Sequence, residues 1–242
     1  MQIQQMLNSD IAMIFDQCIS YPANYSKTRK AMELSLRWAE RSKKAFISKA
    51  GHGLFGIVQG GMNRELRERS AQELINIGFD GYAIGGLAVG ESQDKMFEVL
   101  DYASDLVPHD KPRYVMGIGK PSDILGAIFR GFDMFDCVLP TRNARNGTLY
   151  TRNGEIKITN AQYEFDTAPI DSKCQCYACK NHSRAYIFHL LRNKEILAST
   201  LCSVHNVYFY QDLTHSVRKA ILEDRFSEFY QLSLQNNYLW VE

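Results

Sequence analysis

The chain has 242 residues, of which 45% are hydrophobic and 23% charged, with a net charge of +1. This is the composition of a soluble globular protein with one large domain or two small ones, and it excludes disordered and collagen-like chains. No apolar run approaches the roughly 18 residues of a membrane span, and Met1-Gln-Ile-Gln-Gln-Met lacks the basic and apolar regions of a signal peptide; the expected compartment is the cytoplasm.

Five short apolar segments recur along the first half: Ile11 to Phe15, Gly53 to Val58, Gly81 to Ile84, Arg113 to Met116 and Phe132 to Phe135. None alternates cleanly with polar residues, so each reads as a strand buried on both faces. Helical patterns separate them at Lys27 to Lys49, Asn63 to Ile77, Ser92 to Leu106 and Pro121 to Arg130. Ser92 is placed to cap its helix, and Pro121 fits a first turn. Strand–helix alternation with short connections predicts a parallel sheet.

The strand ends carry the polar chemistry. In order they finish at Asp16, at Gln59 before Gly60-Gly61, at Gly85-Gly86, at Met116-Gly-Ile-Gly119 and at Asp136. Carboxylate, amide and glycine at C-terminal strand tips are what a (β/α)8 barrel presents in its active site. An open doubly wound sheet is the alternative, but it would favour a glycine-rich fingerprint after its first strand, where this sequence has Asp16-Gln-Cys18.

After Asp136 the pattern changes. Pro140 to Gly147 reads as a loop. Thr148 to Arg152 and Glu155 to Thr159 read as a hairpin through Asn153-Gly154. A helix is expected from Ser183 to Arg192 and another from Arg225 to about Leu234. Between Arg142 and Lys194 stand nine Lys and Arg against four acids, a local surplus that suits phosphate contact. A solvated surface with uneven charge would look the same.

Three of the six cysteines fall in Cys174-x-Cys176-x2-Cys179. With His205, 26 residues on, they make a closed set of three thiolates and one imidazole, suited to structural zinc. Spacing alone leaves His182, His189 and His215 as competitors for the fourth position.

Taken together, Ser9 to Cys18, Phe55 to Gly60, Gly78 to Glu91, Lys111 to Gly119, Asp133 to Gly147 and the cysteine cluster through His205 resemble, in order, the tRNA-guanine transglycosylases (queuine tRNA-ribosyltransferases). The resemblance implies a (β/α)8 TIM barrel whose last five strands are these five, with an inserted zinc-binding subdomain. The divisions expected are a partial barrel at 1–139, the zinc insertion at 140–205, and C-terminal helices at 206–242 packing on the barrel. The resemblance also implies that an N-terminal portion of the family, with three strands, a second catalytic aspartate and a base-stacking aromatic, is absent from this sequence. By itself the chain is then expected to be weakly active or inactive.

The activity so implied is a pentosyl transfer that replaces guanine at the tRNA wobble position with 7-aminomethyl-7-deazaguanine, in queuosine biosynthesis. Double displacement through a ribosyl-aspartate retains the anomeric configuration, as in retaining glycosidases. Asp136 takes the nucleophile's place in the family. Asp16 takes the place of the carboxylate that accepts from guanine N1–H and its amine. Gln59 and the Gly86 N–H are the donors to O6, the Leu87 carbonyl receives the aminomethyl group, and Met116 forms the floor under the purine. Cys18 and Val89 are similar to the bacterial form of the pocket. Arg142 and Arg145 correspond to contacts with the anticodon loop, Cys174, Cys176, Cys179 and His205 to the zinc ligands, and a homodimer to the usual assembly. Two other readings are a non-catalytic tRNA-binding partner of the same fold and a barrel glycosidase, which would need neither the cysteine cluster nor the arginines.

Overall fold

The computed structural model describes residues 1–235. The chain divides into two units, one of Met1–Ile118 with Gly126–Asp136, the other of Gly119–Leu125 with Cys137–Glu242.

In the first unit the apolar segments become five strands: β1 (Ile11–Met13), β2 (Gly53–Val58), β3 (Gly81–Ile84), β4 (Arg113–Val115) and β5 (Met134–Phe135). All pair in parallel, in the order in which they occur in the chain. Sequential parallel order, with a helix after each of the first four strands, is the repeat of a (β/α) barrel, here five strands of one. All of β3 and all but the first residue of β2 are buried, because side chains on both strand faces meet apolar partners.

The helices are α1 (Gln2–Met6), α2 (Tyr25–Ala45), α3 (Arg64–Ile77), α4 (Gln93–Ala103) and α5 (Pro121–Phe129), with a 3-10 turn at Ser104–Leu106. Asn24, Asn63 and Ser92 cap α2, α3 and α4, their side-chain oxygens accepting from the backbone N–H groups of Lys27, Leu66 and Lys95. Along α2, Ala31, Met32, Ser35, Leu36, Ala39 and Ser42 are buried, which is the spacing of one helical face. That face joins Leu54, Ile57, Val58, Leu66 and Leu74 in the core. The first strand and β5 are shorter than the sequence suggests: Phe15 is exposed, and Phe132 bonds back to Ala127 instead of joining the sheet.

The second unit holds α6 (Leu139–Arg145), the hairpin β6 (Thr148–Thr151) and β7 (Gly154–Lys157), α7 (Tyr177–Asn181), α8 (Arg184–Arg192), α9 (Ile196–Leu222) and α10 (Phe226–Gln235). The segment after Pro140, expected as a loop, is α6. Pro140 sits in its first turn, where a missing N–H costs nothing, and Ala144 is buried. The expected hairpin is present, but it turns at Arg152-Asn153, one residue before the Asn153-Gly154 expected from the sequence, and Gly154 opens β7 at φ 103°.

Helix α9 runs 27 residues without a break and carries Leu201, Cys202, His205 and Asn206 in its buried stripe. Position 205, a boundary in the sequence reading, lies inside this helix. Asn206 accepts from Tyr150 N–H at 3.1 Å and donates to the carbonyls of Pro140 and Thr148 at 2.9 and 3.0 Å. One buried amide thus ties α9 to the hairpin and to the start of α6. Of the expected C-terminal segment 206–242, residues 236–242 lie outside the described part. Among the described residues no helix is long and apolar enough to cross a membrane.

Candidate functional site

The C-terminal ends of the five parallel strands bring the predicted side chains to one rim of the first unit. Gln59, one residue past β2, is buried, and its Nε2 donates to Asp16 Oδ2 at 2.6 Å. Asp16 is free for this because Asn24, not Asp16, caps the following helix. The Gln59 Oε1 lies against Gly86, where a Cβ would come within 2.7 Å of it and φ is +68°. Only glycine fits that position with the amide in place. The Gly86 N–H is turned to the Cys18 sulfur, whose ionised form it favours. Burial raises that thiol above its ordinary range, which keeps Cys18 neutral beside the Asp16 carboxylate.

Leu87 is buried, and the peptide after it is held by a residue that sequence reasoning missed. Both Glu91 carboxylate oxygens accept backbone N–H bonds, from Ala88 at 2.5 Å and from Val89 at 2.9 Å. The Leu87 carbonyl belongs to the same planar peptide as the Ala88 N–H and points the opposite way. Glu91 therefore aims the Leu87 carbonyl away from itself, at the cost of φ +55° at Ala88. An acid four places after Leu87, in a glycine-rich turn, was the available signal.

Asp136 follows β5 by one residue and is exposed. Its Oδ1 accepts from the Tyr114 hydroxyl at 2.6 Å and from the Gly117 N–H at 2.9 Å. Two donors on one oxygen orient the carboxylate and, among the described residues, leave Oδ2 without a hydrogen-bond partner. Burial and then the bond to Asp136 push the Tyr114 phenol well above the ordinary tyrosine range, so it stays a donor. Met116 is half-buried on the core between Tyr114 and Gly117. A Cβ on Gly117 would lie 3.9 Å from the Leu87 carbonyl oxygen. The rim thus runs from Asp16 through Gln59, Gly86 and Leu87 to Gly117 and Asp136. Asp133, the other acid before the cluster, accepts instead from Arg113 N–H at 2.8 Å, at the opposite ends of the strands.

In the second unit, Cys174, Cys176, Cys179 and His205 converge, all four ligand atoms lying within 4.8 Å of one another. His205 is fully buried, and its Nε2–H donates to the Tyr150 carbonyl at 2.8 Å. That fixes the tautomer with the Nδ1 lone pair turned to the sulfurs, at 3.7, 3.6 and 3.3 Å. For metal–sulfur bonds of about 2.3 Å and metal–nitrogen bonds of about 2.0–2.1 Å, a tetrahedron has S···N edges of about 3.6 Å. The cluster therefore has the dimensions of a four-coordinate metal centre. Backbone N–H groups of Cys176 and Cys179 point to the Cys174 and Cys176 sulfurs at 3.5 and 3.3 Å, which favours thiolates. His182, His189 and His215 stand outside the group.

Arg142 and Arg145, three apart on α6, are both exposed. Among the described residues neither forms an ion pair.

The profile of the queuine tRNA-ribosyltransferase family matches residues 1–238. The chain belongs to this family. It is 54% identical over 230 residues to the queuine tRNA-ribosyltransferase of Actinobacillus pleuropneumoniae serotype 5b, covering 95% of this chain and 60% of that protein. It is 53% identical over 233 residues to that of Acinetobacter baumannii strain SDF, covering 96% and 62%. For the Mannheimia succiniciproducens protein of the same name the figures are 53% over 232 residues, 96% and 61%. The chain thus spans about three fifths of the length of these relatives. Membership accounts for the sequential parallel strands, since the family is a (β/α)8 barrel, and for the Cys3His group, since it is a family with structural zinc.

Proposed function

We propose that this chain acts in base exchange on tRNA, replacing guanine in the anticodon loop with 7-aminomethyl-7-deazaguanine. The observation that carries this is a pair of carboxylates prepared differently on one rim: Asp16 against the Gln59 amide, Asp136 held through one oxygen by Tyr114 and Gly117.

The purine N1–H and amine would donate to Asp16, a charge-assisted pair. The second Gln59 amide hydrogen and the Gly86 N–H would meet O6. The Leu87 carbonyl would accept from the aminomethyl group of the incoming base, and Met116 would lie under the ring. Asp136 Oδ2 attacks C1′ of the ribose, and guanine leaves with the electron pair of the C1′–N9 bond. N9 of the incoming base then displaces the carboxylate. The proton gained by departing guanine equals the one lost by the incoming base, so the exchange is proton-neutral.

The target must be unstacked to enter such a pocket, which suits a single-stranded loop. Arg142 and Arg145 are the phosphate contacts of this reading. Cys174, Cys176, Cys179 and His205 would hold zinc, which supplies a closed structural cross-link and no open coordination position. A cytoplasmic homodimer completes the proposal. It is supported by the exposed Tyr177 and Tyr186 rings beside His182 on the zinc-bearing unit, and sedimentation of the purified chain tests it.

A non-catalytic tRNA-binding partner of the same fold is the second reading. Exchange of labelled guanine into tRNA separates the two. Exchange by the wild-type chain, lost in Asp136→Asn while tRNA binding persists, supports the transferase. Binding of tRNA by the wild-type chain with no exchange and no covalent adduct selects the partner.

A further inference from the structure

Helix α3 places one arginine where an amphipathic pattern would not put it. Arg67 is 0% exposed. Its Nε donates to the Gly61 carbonyl at 2.7 Å, and its two terminal nitrogens to the carbonyls of Val58 at 3.4 Å and Gly85 at 3.0 Å. Among the described residues no carboxylate lies within ion-pair distance of it. Burial lowers its pKa to about 10, so it remains a cation at neutral pH.

The three carbonyls bracket the pocket donors. Val58 precedes Gln59, and Gly61 closes the turn after it. Gly85 O and the Gly86 N–H share one planar peptide and point in opposite directions. Drawing Gly85 O toward α3 therefore turns the Gly86 N–H the other way, toward the Cys18 sulfur. The packing is tight: a Cβ at Gly60 would lie 2.7 Å from Arg67 Cγ, and one at Gly86 would lie 3.8 Å from an Arg67 terminal nitrogen. Ser70, one turn further along α3, adds a bond from the Gln59 N–H at 3.1 Å.

We propose that Arg67 is a positioning residue of the base pocket, fixing from behind the strand tips the two peptides that present Gln59 and Gly86 to the purine O6. A buried cation without a counter-carboxylate, set behind O6 donors, also favours the negative charge that gathers on a departing purine. The inference rests on the purine-pocket reading above.

The test compares guanine with 6-thioguanine, whose sulfur accepts hydrogen bonds poorly but whose N1–H and amine are kept. Affinities for the purified 242-residue chain are measured by calorimetry. The wild-type chain is expected to prefer guanine. Arg67→Met should weaken guanine binding about 10- to 100-fold, weaken 6-thioguanine much less, and so collapse the preference. Arg67→Lys keeps the charge without the fork and should fall between; it decides the matter if the Met variant does not fold. Equal weakening of both bases, the result of a merely structural arginine, overturns the proposal, as does a wild-type chain that does not distinguish them. Failure of the wild-type chain to bind either base is a different result, because it removes the pocket itself.

Discussion

The Tyr114 hydroxyl donates to Asp136 across 2.6 Å from the neighbouring strand. In the parallel register Tyr114 sits opposite Met134, two residues before Asp136 and so on the same face. The sheet itself therefore delivers the phenol to the carboxylate. Tyr114→Phe keeps the ring and the Gly117 bond but frees one of the two donors that aim Asp136. Formation of a covalent adduct with an anticodon hairpin should slow about 10-fold, with base affinity unchanged. Adduct yield over time on a denaturing gel measures this; an unaltered rate would remove Tyr114 from the site.

Asp16 and Gln59 predict the complementary split. Asp16→Asn keeps the size of the side chain but sets an N–H group against purine donors. Base affinity should fall about 100-fold, measured by calorimetry without any requirement for turnover. Retained affinity in Asp16→Asn would place the purine elsewhere.

These residues differ in how openly the sequence shows them. The bounds of β2 and β3 are readable because each begins at a glycine and is apolar on both faces, and those of α3 because Asn63 caps it. The thiolates at 174, 176 and 179 announce themselves by spacing, but His205 does not. It comes from the middle of a 27-residue helix, and helical periodicity gives it no advantage over His189 or His215. Helix α6 is hidden behind Pro140 and Asn146-Gly147, which are turn signals until one sees them as its first turn and its end. Tyr114 becomes legible only with the strand register, and Glu91 only with the peptides that it accepts from. Arg67 is the hardest case, because an arginine among Arg64, Glu65, Glu68 and Arg69 reads as solvated surface.

Buried phenols set the alkaline limit. Burial, first among the causes, raises Tyr114, Tyr150 and Tyr210 above the ordinary tyrosine value of 10.0. In the unfolded chain they ionise near that value, so above it the unfolded state binds fewer protons than the folded one. Their contribution is complete below pH 10 and is lost as pH climbs above it. Arg67 works in the opposite sense, since its charged form is disfavoured by burial and is relieved as pH passes about 10. One arginine against three phenols leaves a net loss. Thermal melts should fall steeply above pH 10, with tyrosinate absorbance rising together with unfolding. Ionisation of all thirteen tyrosines before any loss of ellipticity would contradict this.

Metal removal should act on the second unit through its core. Cys176 and Cys179 are buried beside Ile170, Ile187, Leu201 and Cys202, and Cys174 packs at the edge of the same cluster. Without a cation, three sulfurs and an imidazole would be left crowded in an apolar interior, and a structural zinc is worth roughly 10–16 kcal/mol in small zinc modules. The purified chain is expected to carry one zinc. Cys176→Ser or His205→Ala should abolish it and lower the helical signal. Cys202 provides the control. It lies three residues before His205 on α9, yet burial pushes its thiol up to about 12, and it stands outside the convergent group. Cys202→Ala should therefore keep the full zinc content, measured by emission spectrometry after dialysis. Loss of zinc in that variant, or its retention in Cys176→Ser, would mean that the metal is held by a different set of atoms.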